Sequence, residues 1–109
     1  MNITEAILSF SGLDEISATA VQRVLAIRTV NGADEFSAQN SKQVNLCAAD
    51  LYVELVNQPD FGEGSLSVTH SRKHYLSTAA RLYRENGEPA KATNLSKSIN
   101  VSGKSVNRW

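Results

Sequence analysis

The sequence predicts an all-α fold, a compact bundle of about four helices with a minor β element and a polar C-terminal tail. Three observations carry that expectation. Residues 37–57, SAQNSKQVNLCAADLYVELVN, form the longest helical pattern in the chain and contain neither Gly nor Pro. Apolar residues elsewhere recur at helical spacing between capping residues and Gly-containing stops. The last 22 residues are rich in Ser, Asn and Lys and hold few large apolar groups.

A chain of 109 residues suits one domain, near the lower size at which a single core is comfortable, so a subunit contact is a natural further source of stability. Asn2 and Glu5 have the spacing of a capping box and start a first helix, with Ile3, Ala6, Ile7 and Phe10 on one face. That helix is too short to persist unless it packs. Asp14 or Ser17 caps a second helix running to about Val30, with Ile16, Ala20, Val24 and Ile27 on one line and Val21, Leu25 and Arg28 on the next. Asn31-Gly32 is expected to supply the left-handed residue that closes it.

Ser37 is the expected cap of the long helix, with Phe36 as a hydrophobic staple. Val44, Ala48, Leu51 and Leu55 follow its core line, and Cys47, Tyr52 and Val56 widen it. Asp50 and Glu54, one turn apart, read as a solvated polar face. Pro59 must end the helix near residue 58. Leu66, Val68 and His70 then alternate with Ser65, Ser67 and Thr69, the period of a short strand. A last main helix follows Ser71, with Leu76, Ala80 and Tyr83 beside Tyr75, Ala79 and Leu82, and Asn86-Gly87 as its stop. Its first turn carries Arg72, Lys73 and His74, the wrong sign for a helix N-terminus.

The domain reading is therefore a helical body over residues 1–87 and a polar tail over 88–109, either a hairpin around Ser102-Gly103-Lys104 or disordered. Charge divides the same way. The body holds seven Lys or Arg against ten Asp or Glu, and the tail four against one. No concentrated basic segment of the kind a dedicated nucleic-acid binder carries is visible along the chain.

No catalytic, cofactor or metal site is expected, and the chain does not read as an enzyme. Cys47 is one cysteine on an apolar face and reads as a small buried hydrophobe. His70 and His74 lie four apart, but a helix start falls between them and Glu63 is the one further candidate ligand nearby, so both read as ordinary surface or strand-end histidines. Ser102-Gly103-Lys104-Ser105 resembles the end of a phosphate-binding loop without its first glycine or its helix. With no apolar run near the ~20 residues that cross a bilayer, and no basic leader, the expected location is the cytoplasm.

The stretch LCAADLYVELVNQPDFGEGSLSVTHSRKHYLSTAARLYRENGE, residues 46–88, resembles in layout the C-terminal half of small head-tail connector proteins, the head completion or neck components of tailed phages and prophages. An Ala-rich helix carrying Tyr52 leads into an Asp/Phe/Glu/Gly loop, a Ser-rich strand, and a helix with Ala80, Leu82, Tyr83, Arg84 and then Gly87. Two short helices precede it, so the likeness covers about residues 1–88. It implies a virion structural protein that assembles with copies of itself as a ring beneath the portal, contacting portal and tail-completion proteins. DNA would pass through the lumen without being read. The residues expected to make assembly contacts are Phe61, Leu66, Ile99, Val101, Val106 and Trp109, apolar groups in polar segments that need a partner to hide against. The rival readings are a small helical DNA-binding regulator and a protein-binding adaptor that forms no ring.

Overall fold

A computed structural model describes residues 1–14, 16–57 and 72–95. Over these the chain is all-α: α1 (Ile3–Leu8), α2 (Ala18–Ile27), a 3₁₀ turn (Ala38–Asn40), α3 (Ser41–Val56), α4 (Arg72–Glu85) and a helical segment α5 over 89–95. Among the described residues the β content is an isolated antiparallel bridge between Asn2 and Glu35. The expected strand at 65–70 and the hairpin around 99–106 lie outside the described residues.

The capping box forms as predicted. Asn2 Oδ1 accepts from Glu5 N at 2.8 Å, and Glu5 Oε1 accepts from Asn2 N at 2.9 Å. Six residues cannot sustain a helix alone. α1 is anchored by backbone bonds from Ile3 N to Asp34 O (2.9 Å) and Thr4 N to Gly32 O (3.1 Å), and it buries Ile3, Ala6 and Ile7.

Ser17, not Asp14, caps α2, its Oγ accepting from Ala20 N at 3.1 Å. The helix stops at Ile27, earlier than expected, and the left-handed residue is Thr29 (φ 59°) rather than Gly32. Val30 N reaches Leu25 O at 2.9 Å and Thr29 N reaches Ala26 O at 3.1 Å, which satisfies the last carbonyls of α2. A β-branched residue in this conformation costs about 1–2 kcal/mol. Gly32 serves a different need: a Cβ there would strike Thr4 and come within 2.9 Å of Leu25 Cδ1, blocking the approach of the loop to α1. Ile27, expected on the apolar line, is 72% exposed on the final turn.

α3 is the centre of the fold, touching α1, α2 and α4. It begins at Ser41 because Asn40 is engaged elsewhere: its Oδ1 accepts from Ser37 N at 2.9 Å and its Nδ2 donates to Glu35 O at 2.9 Å, tightening the preceding turn to 3₁₀. All seven apolar residues assigned to its core face are buried, joined by Leu46 and Ala49. Burial pushes the Cys47 thiol up to about 11, the behaviour of a packed hydrophobe.

α4 runs antiparallel to α3 and buries all six predicted residues, from Tyr75 to Tyr83. Tyr52 and Tyr75 stack at 5.3 Å, Phe10 meets Tyr52 edge-on at 6.5 Å, and Tyr52 Oη donates to Ser11 O at 2.7 Å. This ladder ties the end of α1 to both long helices. Gly12 (φ +86°) lies directly against the Tyr75 ring, where a side chain would not fit.

The expected stop at Asn86-Gly87 is present: Gly87 has φ +93° and Glu88 N donates to Tyr83 O at 2.8 Å. The first residues of the expected tail, read from sequence as hairpin or disordered from 88 on, are instead helical. Residues 89–95 are helical, Ala92 is buried and Leu95 packs on the core, so the body extends to at least 95. Pro89 at the first helical position is the physical reason, since its fixed φ suits a helix start and its missing donor is not needed there. Among the described residues no helix is long and apolar enough to cross a membrane.

Candidate functional site

The C-terminal end of α2, the middle of α3, the last turns of α4 and the start of α5 meet at one guanidinium. Arg28 Nε donates to Asp50 Oδ2 at 2.6 Å and Nη2 to Asp50 Oδ1 at 3.0 Å. The same side chain reaches Glu88 through Nη1 to Oε2 (2.8 Å) and Nη2 to Oε1 (3.1 Å). Tyr83 Oη donates to Asp50 Oδ1, and Lys91 Nζ lies 3.2 Å from Glu88 Oε1 and 5.5 Å from the Tyr83 ring centre. The Arg28 side chain is 13% exposed and that of Asp50 20%.

This cluster corrects the sequence expectation for Asp50 and Glu54. Asp50 is the shared acceptor of an interior clamp, and Glu54 pairs with Arg23 of α2. Electrostatics follow from the geometry. Bonds from Arg28, aided by Lys91, hold the Glu88 carboxyl down at about 2 despite partial burial. Burial first, and the bond donated to Asp50 second, push the Tyr83 hydroxyl far above the ordinary phenol range. Every strong donor and acceptor here is committed to another member, which makes the arrangement a clamp that fastens α5 to the bundle. The sequence signals that could have found it were Pro89 as a helix start and Glu88 directly after the glycine stop.

Acid should loosen the clamp. The Glu88 carboxyl titrates lower when folded (about 2) than its ordinary value of 4.5, so its contribution is complete above about pH 5 and is lost as pH falls toward 2. Denaturant midpoints measured from pH 6 to pH 3 should fall, and Glu88→Gln should flatten that fall; an identical slope in both proteins would contradict the assignment.

The wrong-signed first turn of α4 also finds a use. Arg72 Nη1 donates to Val56 O at 2.9 Å and Nη2 to Asn57 Oδ1 at 3.4 Å, so this cation caps the negative end of α3. The two ends of segment 58–71 are thereby pinned together. Leu95, from which residues 96–109 continue, lines a shallow groove of about 220 Å³ with Val53, Tyr83, Lys91 and Asn94, one turn from the end of α3. Asn57, Arg72 and Leu95, the described residues that flank the two segments, thus all stand toward the C-terminal part of α3. The six expected assembly residues, Phe61, Leu66, Ile99, Val101, Val106 and Trp109, lie outside the described residues, as does His70. Among the described residues no group of three or more His, Cys, Asp or Glu could hold a metal ion.

The model of one protein family, described as a family of unknown function (DUF6706), matches residues 1–109. No curated protein and no solved structure matches the chain.

Proposed function

We propose that this chain, which belongs to the DUF6706 family, is a phage or prophage structural protein, a head-tail connector or neck component that assembles by protein–protein contacts beneath the portal. The observation that supports this reading is the shared origin of its two candidate contact segments. Residues 58–71 start and finish at the Asn57–Arg72 junction, and residues 96–109 follow Leu95, which lines a groove with Val53, one turn before the end of α3. A rigid bundle that offers two partner-seeking segments from one end is suited to joining neighbours, because the scaffold fixes their origin while the segments make the contacts. In this reading the partners are other copies of the chain, possible as a ring, with portal and tail-completion proteins above and below; the protein works first in the cytoplasm of a bacterial host and then in the virion neck.

Assembly should show in solution mass as a function of concentration, compared for the full chain and a chain ending at residue 95. That truncation point keeps Glu88 and Ala92 in place, which a cut at 87 would not. The full chain should gain mass with concentration and the shortened one should do so less. Monomers in both, with or without added portal protein, would count against the connector reading.

A further inference from the structure

We infer that the solvent face of α4 is a non-specific docking face for the phosphate backbone of duplex DNA. α4 carries Arg72, Lys73, Arg81 and Arg84 against one acidic residue, Glu85, while the remainder of the chain holds seven basic residues against ten acidic. Cations are therefore gathered on one helix of an otherwise acidic molecule.

The ion pairs sharpen it. Among the described residues Arg23, Arg28, Arg81 and Lys91 have carboxylate partners, whereas Lys42, Arg72, Lys73 and Arg84 have none. Three of these four are on α4, and Arg72 is the one already spent on the end of α3. Lys73, Ser77 and Arg84, the first and last separated by eleven residue steps, fall on one strip of the helix, with Arg81 at its edge, and all four are exposed. At 1.5 Å per residue the strip spans about 16 Å. The Arg81–Glu85 pair is more than half exposed on both sides, so exchanging the carboxylate for a phosphate loses little.

The chemistry of the strip selects the partner. A protein interface needs an apolar centre and an anchored membrane surface needs apolar groups to insert. The large hydrophobic residues exposed among the described residues are Met1 and Ile27, neither of them on α4. Cations with one hydroxyl between them and, among the described residues of α4, no exposed large apolar side chain match a polyphosphate backbone, where counterion release supplies the affinity and base identity does not enter. The inference stands on this charge layout whether or not the chain forms a ring, and its test involves no self-assembly.

The test is fluorescence anisotropy of a labelled 20-base-pair duplex titrated with the full chain at 50 to 200 mM salt. Three phosphate contacts, from Lys73, Arg81 and Arg84, give a slope of log affinity against log salt of about −2.7, a weakening of about 40-fold across that range. The pair Lys73→Gln/Arg84→Gln should reduce the magnitude of the slope by about 1.8. A control of equal net-charge change on exposed α2 positions, Gln22→Glu/Ala26→Glu, should leave it near the parent value. Circular dichroism checks that each variant keeps its helices. No binding at 50 mM salt, a salt-independent affinity, or equal losses from the α4 variant and the α2 control would each overturn the assignment.

Discussion

Replacing Arg28 with Ala should lower the unfolding free energy by about 3 kcal/mol, because it strands two partly buried carboxylates that share one cation. Asp50 would keep only the hydroxyl of Tyr83, and Glu88 only Lys91. The effect should be visible as a large drop in the denaturant midpoint with an unchanged slope, and amide exchange should rise first in α5, which loses its main fastening. A different variant separates pairing from shape. Substituting the whole cluster with apolar groups (Arg28→Met, Asp50→Leu, Glu88→Leu, Tyr83→Phe) should restore much of the stability, since isolated charges are penalised far more than a fully apolar replacement. A loss below about 1 kcal/mol for Arg28→Ala would place the cluster with ordinary surface ion pairs.

Leu51→Ala should be at least as damaging. Leu51 has no exposure, lies on the central line of α3, and sits in the same turn as Ala48, Ala49 and Tyr52, all buried. Removing its side chain should cost about 3 kcal/mol from lost transfer energy and the cavity left behind. For a domain of this size that corresponds to a fall in Tm on the order of 15 °C. Val53→Ala, at a half-buried position two residues on, is the comparison that isolates full burial. Equal melting temperatures for the two variants would mean that α3 is not the structural centre.

The two predictions divide the molecule along the line between what periodicity reveals and what it cannot. The buried faces of α3 and α4 were legible residue by residue, because burial of one face imposes a 3.6-residue rhythm that survives in a single sequence. The α1 capping box and the Gly87 stop were legible for a similar reason: both are local, with partners no more than five residues apart. Thr29 was not, since nothing in a threonine announces the left-handed backbone with which it closes α2. Asp50 was misplaced on a solvated face because its partners stand 22, 33 and, through Arg28, 60 residues from the groups they join.

The segment after Gly87 shows the same division. Its composition is that of a polar tail, yet buried Ala92, half-buried Leu95, Lys91 over the Tyr83 ring and the Arg28–Glu88 pair hold residues 89–95 on the bundle. The charge layout behaves likewise. Summed along the chain, acidic and basic residues are equal in number; among the described residues outside α4, pairing in three dimensions engages Arg23, Arg28 and Lys91, while Lys73 and Arg84 of α4 have no carboxylate partner.

By itself, the sequence determined that this protein is a helical bundle organised on α3, that α1 to α4 form, and which faces of α3 and α4 are buried, because these depend on spacing and local hydrogen bonding. Only the tertiary structure decided that Arg28 joins Asp50 to Glu88, that α5 belongs to the body, and that Lys73 and Arg84 of α4 have no carboxylate partner. Those outcomes depend on which distant side chains reach one another, and a Coulombic or hydrogen-bonded partner leaves no periodic trace in the chain.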